Sequence, residues 1–102
     1  MQDFRCKAKQ HALLMSPQES CGVVINNTYF PCLNIADNPE EDFIMEPRDY
    51  IAARAYGEIQ AYVHSHPKGG PPSALDEKAC KHTKRPWHVY LIPYDKWVTI
   101  KP

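Results

Sequence analysis

Residues 67–72 read Pro-Lys-Gly-Gly-Pro-Pro, and no regular element can pass through them. The three prolines lack the amide donor that a strand or a helix uses, and the two glycines leave the backbone without a preferred conformation. The chain must loop here. Before the loop lies the apolar run IQAYVHSH, residues 59–66, with the composition of a strand. After it, Ser73 opens a helical pattern that reaches about Lys81. Strand, enforced loop and helix in succession form one β-to-α step of a layered architecture.

The remaining periodicity extends that step. Phe4, Ala8, Ala12 and Met15 recur at helical spacing among Arg5, Lys7, Lys9 and Gln10, which predicts an amphipathic helix over about 3–15. Ser16-Pro17 ends it, because a residue before proline is pushed out of the helical region. Two β-rich runs in CGVVINNTYFPCLNIA flank Asn26-Asn27, a pair that tolerates the positive φ of a tight hairpin. DNPEED is a loop by composition. After the short strand-like FIMEP, Pro47 suits the first position of a helix that continues through Tyr50, Ile51, Arg54, Ala55 and Glu58. WHVYLIPYDKWVTIKP closes the sequence as two strands around Pro93 to Lys96. The expectation is a single α/β or α+β sandwich over 1–102, since 102 residues suit one core.

Charge removes several classes of partner. Lys plus Arg and Asp plus Glu both number 12, giving a formal net charge of zero that favours neither nucleic acid nor an anionic membrane surface. The opening MQDFRCKAKQHALLM is too polar for a signal peptide, and no run approaches the roughly 20 apolar residues that cross a bilayer. A soluble, cytoplasmic protein is expected. Cys6, Cys21, Cys32 and Cys80 are irregularly spaced without a Cys-x-x-Cys pair, so they read as reduced, mostly buried thiols.

The chemistry concentrates around the loop. His64 and His66 occupy alternate positions of the predicted strand, so both imidazoles leave the same face while Ser65 leaves the other. Asp76, in the first turn of the next helix, is a candidate third donor. Two histidines and a carboxylate that leave one position open make the donor set of a catalytic zinc site. Ser73-Ala-Leu-Asp76 also has the form of a helix-capping box, and the two roles are compatible. Glu19, in SPQESCGVV, is either an exposed loop carboxylate or a non-ligand base beside a metal, held at the mouth of an apolar strand. Cys80 and His82 make a poor alternative to this set, because helical positions two apart point to different sides. Lys78, Lys81, His82, Lys84 and Arg85 read as a solvated helix end. Trp87 and Trp97 read as packing residues, and the acidic loop through Glu40, Glu41 and Asp42 shows no recognisable chemistry.

Taken together, Pro-x-Glu-x-Cys-Gly, His-Ser-His-Pro and Ser-x-x-Asp resemble the JAMM (MPN+/Mov34) metallopeptidase family over nearly the whole chain. Within it, the chain is similar to the JAMM domains that open phage tail assembly proteins of the K type. The resemblance implies a curved, mixed central sheet flanked by helices, as in cytidine deaminases. It implies Zn2+ held by His64, His66 and Asp76, with Glu19 as general acid/base and Ser73 at the oxyanion. It also implies hydrolysis of a peptide or isopeptide bond in phage tail assembly. Partners would be a peptide or protein substrate, phage tail proteins and a separate NlpC/P60-type cysteine-peptidase domain. Two other functions stay open: a non-catalytic tail-assembly interaction module on the same fold, and a hydrolase trimming ubiquitin-like or sulfur-carrier tails. Between His66 and Ser73 the family usually has seven residues and this chain has six. Gly69 and Gly70 are the positions able to absorb the difference.

Overall fold

The computed structural model describes residues 3–102; Met1 and Gln2, the first two positions of the expected domain, lie outside the described residues. Helix α1 spans Phe4–Met15, α2 Pro47–Arg54 and α3 Ala74–Thr83. The strands are β1 (Cys21–Ile25), β2 (Thr28–Cys32), β3 (Ala61–His66), β4 (Trp87–Leu91) and β5 (Lys96–Ile100), with a 3-10 turn at Ile92–Tyr94. They form one open five-stranded sheet in the order β2-β1-β3-β4-β5. Only β3 and β4 run parallel, and the crossover between them is the 67–72 loop followed by α3.

Local chemistry explains most of these elements. Asn26 and Asn27 take φ values of 50° and 63°, the left-handed pair that a two-residue hairpin turn needs. β2 lies at an edge of the sheet, where Pro31 is tolerated. Opposite it, Gly22 is required, since a Cβ there would sit 2.5 Å from both the Tyr29 ring and the Phe30 carbonyl. Pro47 opens α2, capped by the Glu46 carboxylate, which accepts from the amides of Arg48 and Asp49.

Each face of the sheet is covered. On one, Phe4 and Ala8 of α1 pack on Val24, Tyr29, Ala61 and Val63, with Trp97 alongside. The Tyr29 hydroxyl donates to the Cys21 carbonyl at 3.1 Å, so at 2.6 Å from His11 it accepts the Nδ1 proton, and α1 is tied to the sheet. On the other face, Ala53 of α2 packs on Val23 and Ile25, with Phe30, Tyr50 and Tyr62 around them. The α/β sandwich expected from the sequence is therefore the observed fold.

Three boundaries differ from the sequence reading. α2 stops at Arg54 and not near Glu58, because Gly57 at φ 147° turns the chain toward β3. β3 accordingly starts at Ala61, two residues later than the apolar run. FIMEP contributes a single bridge, Met45 to Asn34, since Glu46 already serves as the cap of α2. All four cysteines are free thiols, with Cys21, Cys32 and Cys80 buried and Cys6 partly so. Among the described residues no helix is long and apolar enough to cross a membrane.

Candidate metal centre

Strand register builds the site. β1 and β3 pair antiparallel with Cys21 opposite His64, so the residues entering β1 lie beside the C-terminal end of β3. Ser65, between the two histidines, fixes that junction from the opposite face. Its hydroxyl accepts from the Ser20 amide at 2.8 Å and its own amide donates to the Ser20 carbonyl at 3.1 Å. Glu19 is thereby buried next to the imidazoles and is not an exposed loop carboxylate.

The shortened loop closes. Gly69 takes φ 80° and its amide donates to the His66 carbonyl, a turn that returns the chain to α3; a Cβ at Gly69 would meet the Tyr94 ring at 2.7 Å. Gly70 needs no unusual φ, but its carbonyl accepts the His66 Nδ1 proton at 2.7 Å. That bond places the Nε2 lone pair of His66 toward the site, the arrangement in which imidazole serves metals. Ser73 caps α3 through the Asp76 amide at 3.1 Å, while the Asp76 carboxylate accepts from the Ser73 amide at 2.9 Å, completing the capping box.

The same Asp76 carboxylate reaches both histidines. Oδ1 lies 3.4 Å from Nε2 of His64, Oδ2 lies 3.3 Å from Nε2 of His66, and the two nitrogens are 3.1 Å apart. Ligand bonds of about 2.0–2.1 Å in a tetrahedron put the donor atoms roughly 3.3 Å from one another, so this spacing fits zinc. Glu19, His64 and His66 also offer donor atoms that all lie within 4.8 Å of one another. Two carboxylates thus face one pair of imidazoles, and the site could hold a metal through either.

Electrostatics separates the two. Burial pushes the Glu19 carboxyl up to about 8, against the pull of His66 and with help from the charge on Asp76. Burial would raise Asp76 too, but hydrogen bonds with His64 and His66 outweigh it and hold the carboxyl well below the usual range. His64 is lowered by its burial, which keeps it neutral. Burial acts the same way on His66, yet its bonds to Asp76 and the Gly70 carbonyl prevail and raise it.

Aromatic packing sets His64, whose Nδ1 is buried without a hydrogen-bond partner. Phe43 stacks on its ring at 4.6 Å between centroids, and Trp87 meets it edge-on at 5.5 Å. A cavity of about 380 Å³ opens over the centre, bounded by Glu19, His66, Ser73 and Asp76 and walled by the acidic loop through Glu40, Glu41 and Asp42. Lys68 and Glu41 form an ion pair within that lining. The five residues singled out in the sequence therefore share one site. Phe43 and the Gly70 carbonyl escaped that reading, the acidic loop was read there as without chemistry, and no spacing pattern marks their place at the site. Cys80, the rejected alternative donor, is buried with its thiol toward the carbonyls of Arg85 and Ile100.

Comparisons with known proteins agree with this architecture. A solution structure from Desulfitobacterium hafniense superposes with a TM-score of 0.71, covering 94% of this chain and 76% of that one at 24% identity, a likeness of fold. Tail tip assembly protein K of Escherichia phage N15 is 42% identical over 97 residues, which are 90% of this chain and 40% of that protein. The chain thus spans well under half the length of that relative. Residues 3–99 match the family described as prokaryotic homologs of the JAB domain. With that match over almost every residue, the chain belongs to the family of prokaryotic JAB-domain homologs.

Proposed function

We propose that this chain is a zinc-dependent metallopeptidase domain that hydrolyses a peptide or isopeptide bond. The observation that carries the reading is a pair of imidazole Nε2 atoms 3.1 Å apart, each met by one oxygen of the Asp76 carboxylate at 3.3–3.4 Å, with a second, buried carboxylate beside them. His64, His66 and Asp76 would hold the metal, since Asp76 is kept ionised and both rings present Nε2. Bound zinc supplies Lewis acidity, activating water and polarising the scissile carbonyl.

The chain's own residues do the rest. Glu19, whose carboxyl burial raises and whose charged form a bound cation would favour, takes a proton from the attacking water and returns it to the leaving nitrogen. Ser73 lines the cavity, and its oxygen accepts the capping bond from Asp76 while its hydroxyl hydrogen remains available to the developing oxyanion. A purely structural module gains nothing from a buried carboxylate beside two histidines, which favours the hydrolase over the interaction module. Because the phage relative is named for tail tip assembly, tail proteins are the proposed substrates and partners, within an infected bacterial cell. A separate NlpC/P60-type domain belongs to the same proposal.

Elemental analysis tests the assignment. One zinc per chain is expected in protein refolded or dialysed with zinc and freed of excess, and stoichiometric zinc in the His64→Ala, His66→Ala double variant would overturn it.

A further inference from the structure

We infer that Asn34 is the positioning residue of this site, holding Glu19 and the acidic wall in one arrangement toward the histidines; the inference rests on the assignment of Glu19 as the base. Asn34 follows β2, and only 9% of its surface is exposed. Its side-chain amide is saturated. Nδ2 donates to the Glu19 carbonyl at 2.9 Å and the Asp42 carbonyl at 3.0 Å, with Pro39 O at 3.3 Å sharing the donors. Oδ1 accepts from the amides of Ala36 at 3.0 Å and Ile44 at 3.1 Å. The Glu19 amide in turn donates to the Pro39 carbonyl at 2.7 Å. One buried amide thus joins the backbone of the base to both ends of the loop that walls the cavity, while touching neither histidine.

A five-bond hub of this kind fixes orientation more than fold. The strand pairs of β1 with β3 and of β3 with β4, which carry the histidines, make none of these bonds. Aspartate is nearly isosteric and keeps the two bonds accepted by Oδ1, but it sets a carboxylate oxygen against three carbonyls. Asn34→Asp should therefore free Glu19 and the 38–44 segment while leaving β3 in place.

The test compares wild type, Asn34→Asp and Asn34→Ala by amide hydrogen exchange, by the side-chain carboxyl 13C resonances of labelled protein, assigned with Glu19→Gln, and by zinc titration. Exchange at Glu19, whose amide donates to the Pro39 carbonyl that the hub holds, should quicken about tenfold or more in both variants, and exchange at Ile44 should quicken similarly in Asn34→Ala, where its acceptor is lost, with the amides of Val63 and Val89 unchanged. The Glu19 carboxyl line should move while that of Asp76 stays. Zinc stoichiometry at the histidines should be retained. Unchanged exchange at Glu19, an equal loss of protection in β3, or failure of both variants to fold would overturn the inference. A wild type that binds no zinc would instead overturn the metallopeptidase reading, and the exchange pattern would still decide the role of Asn34.

Discussion

Glu19 and Asp76 reach the same imidazoles under opposite electrostatic conditions, and that difference supports the proposed division of work between them. A ligand must be ionised, which suits the depressed Asp76 carboxyl. A base must hold and release a proton near neutrality, which suits Glu19 at about 8 before a nearby cation draws it down. Glu19→Gln should therefore retain zinc and fold yet lower turnover by roughly 10²-fold or more. Unchanged turnover with bound zinc would leave Glu19 a buried spectator. Ser73 carries an observed role and a proposed one. As a cap, Ser73→Ala costs about 1 kcal/mol and Ser73→Asp restores it. As an oxyanion donor, both changes lower turnover by up to roughly 10²- to 10³-fold with zinc retained. Melting temperature, zinc content and turnover of the two variants separate these roles, and full activity in Ser73→Asp would leave capping alone.

At the scale of elements, the hairpin shows how backbone space can govern a strand pair. Gly22 faces the Tyr29 ring, and Tyr29 is fixed by bonds to His11 and the Cys21 carbonyl. Gly22→Ala cannot be accommodated without moving that ring or the Phe30 carbonyl, so a loss of about 1–3 kcal/mol is expected in chemical denaturation. Wild-type stability would mean that the ring swings freely. Elements whose cause is local were legible in the sequence: the Asn26-Asn27 turn, Pro47 at the start of α2, and the Ser73–Asp76 box, where the interacting groups are one to three residues apart. The two histidines were legible because strand alternation fixes their common face. The Asn34 hub was not, because its acceptors come from Glu19 and Asp42, which approach only after β1, β2 and the acidic loop have assembled. The stacking of Phe43 on His64 is hidden for the same reason, as these residues meet only through tertiary packing. The end of α2 was misread because helical periodicity continues to Glu58 while Gly57 redirects the backbone.

On the scale of the whole molecule, the proposed metal would compete with protons for the same histidines, and stability would report the competition. His66 is raised above the ordinary imidazole value of about 6.5, so its protonated form stabilises the zinc-free fold below that pH and the contribution is lost as pH rises through its folded value. His11 and His88 are lowered by burial, so their contribution is full above about 6.5 and lost as pH falls through their folded values. Zinc requires both site imidazoles unprotonated and so stabilises most above the His66 value. At free zinc about a hundredfold above its dissociation constant, the melting temperature at pH 7.5 should rise by roughly 10 °C or more. At pH 5.5 the same zinc concentration must displace the His66 proton, and the rise should shrink to a few degrees or vanish. The His64→Ala, His66→Ala protein provides the control, because it keeps His11 and His88 and should show the acid-side loss of stability without any zinc shift. Melting curves at the two pH values, with and without zinc, therefore separate metal binding from background titration. An equal zinc shift at both values would place the metal on donors other than these histidines.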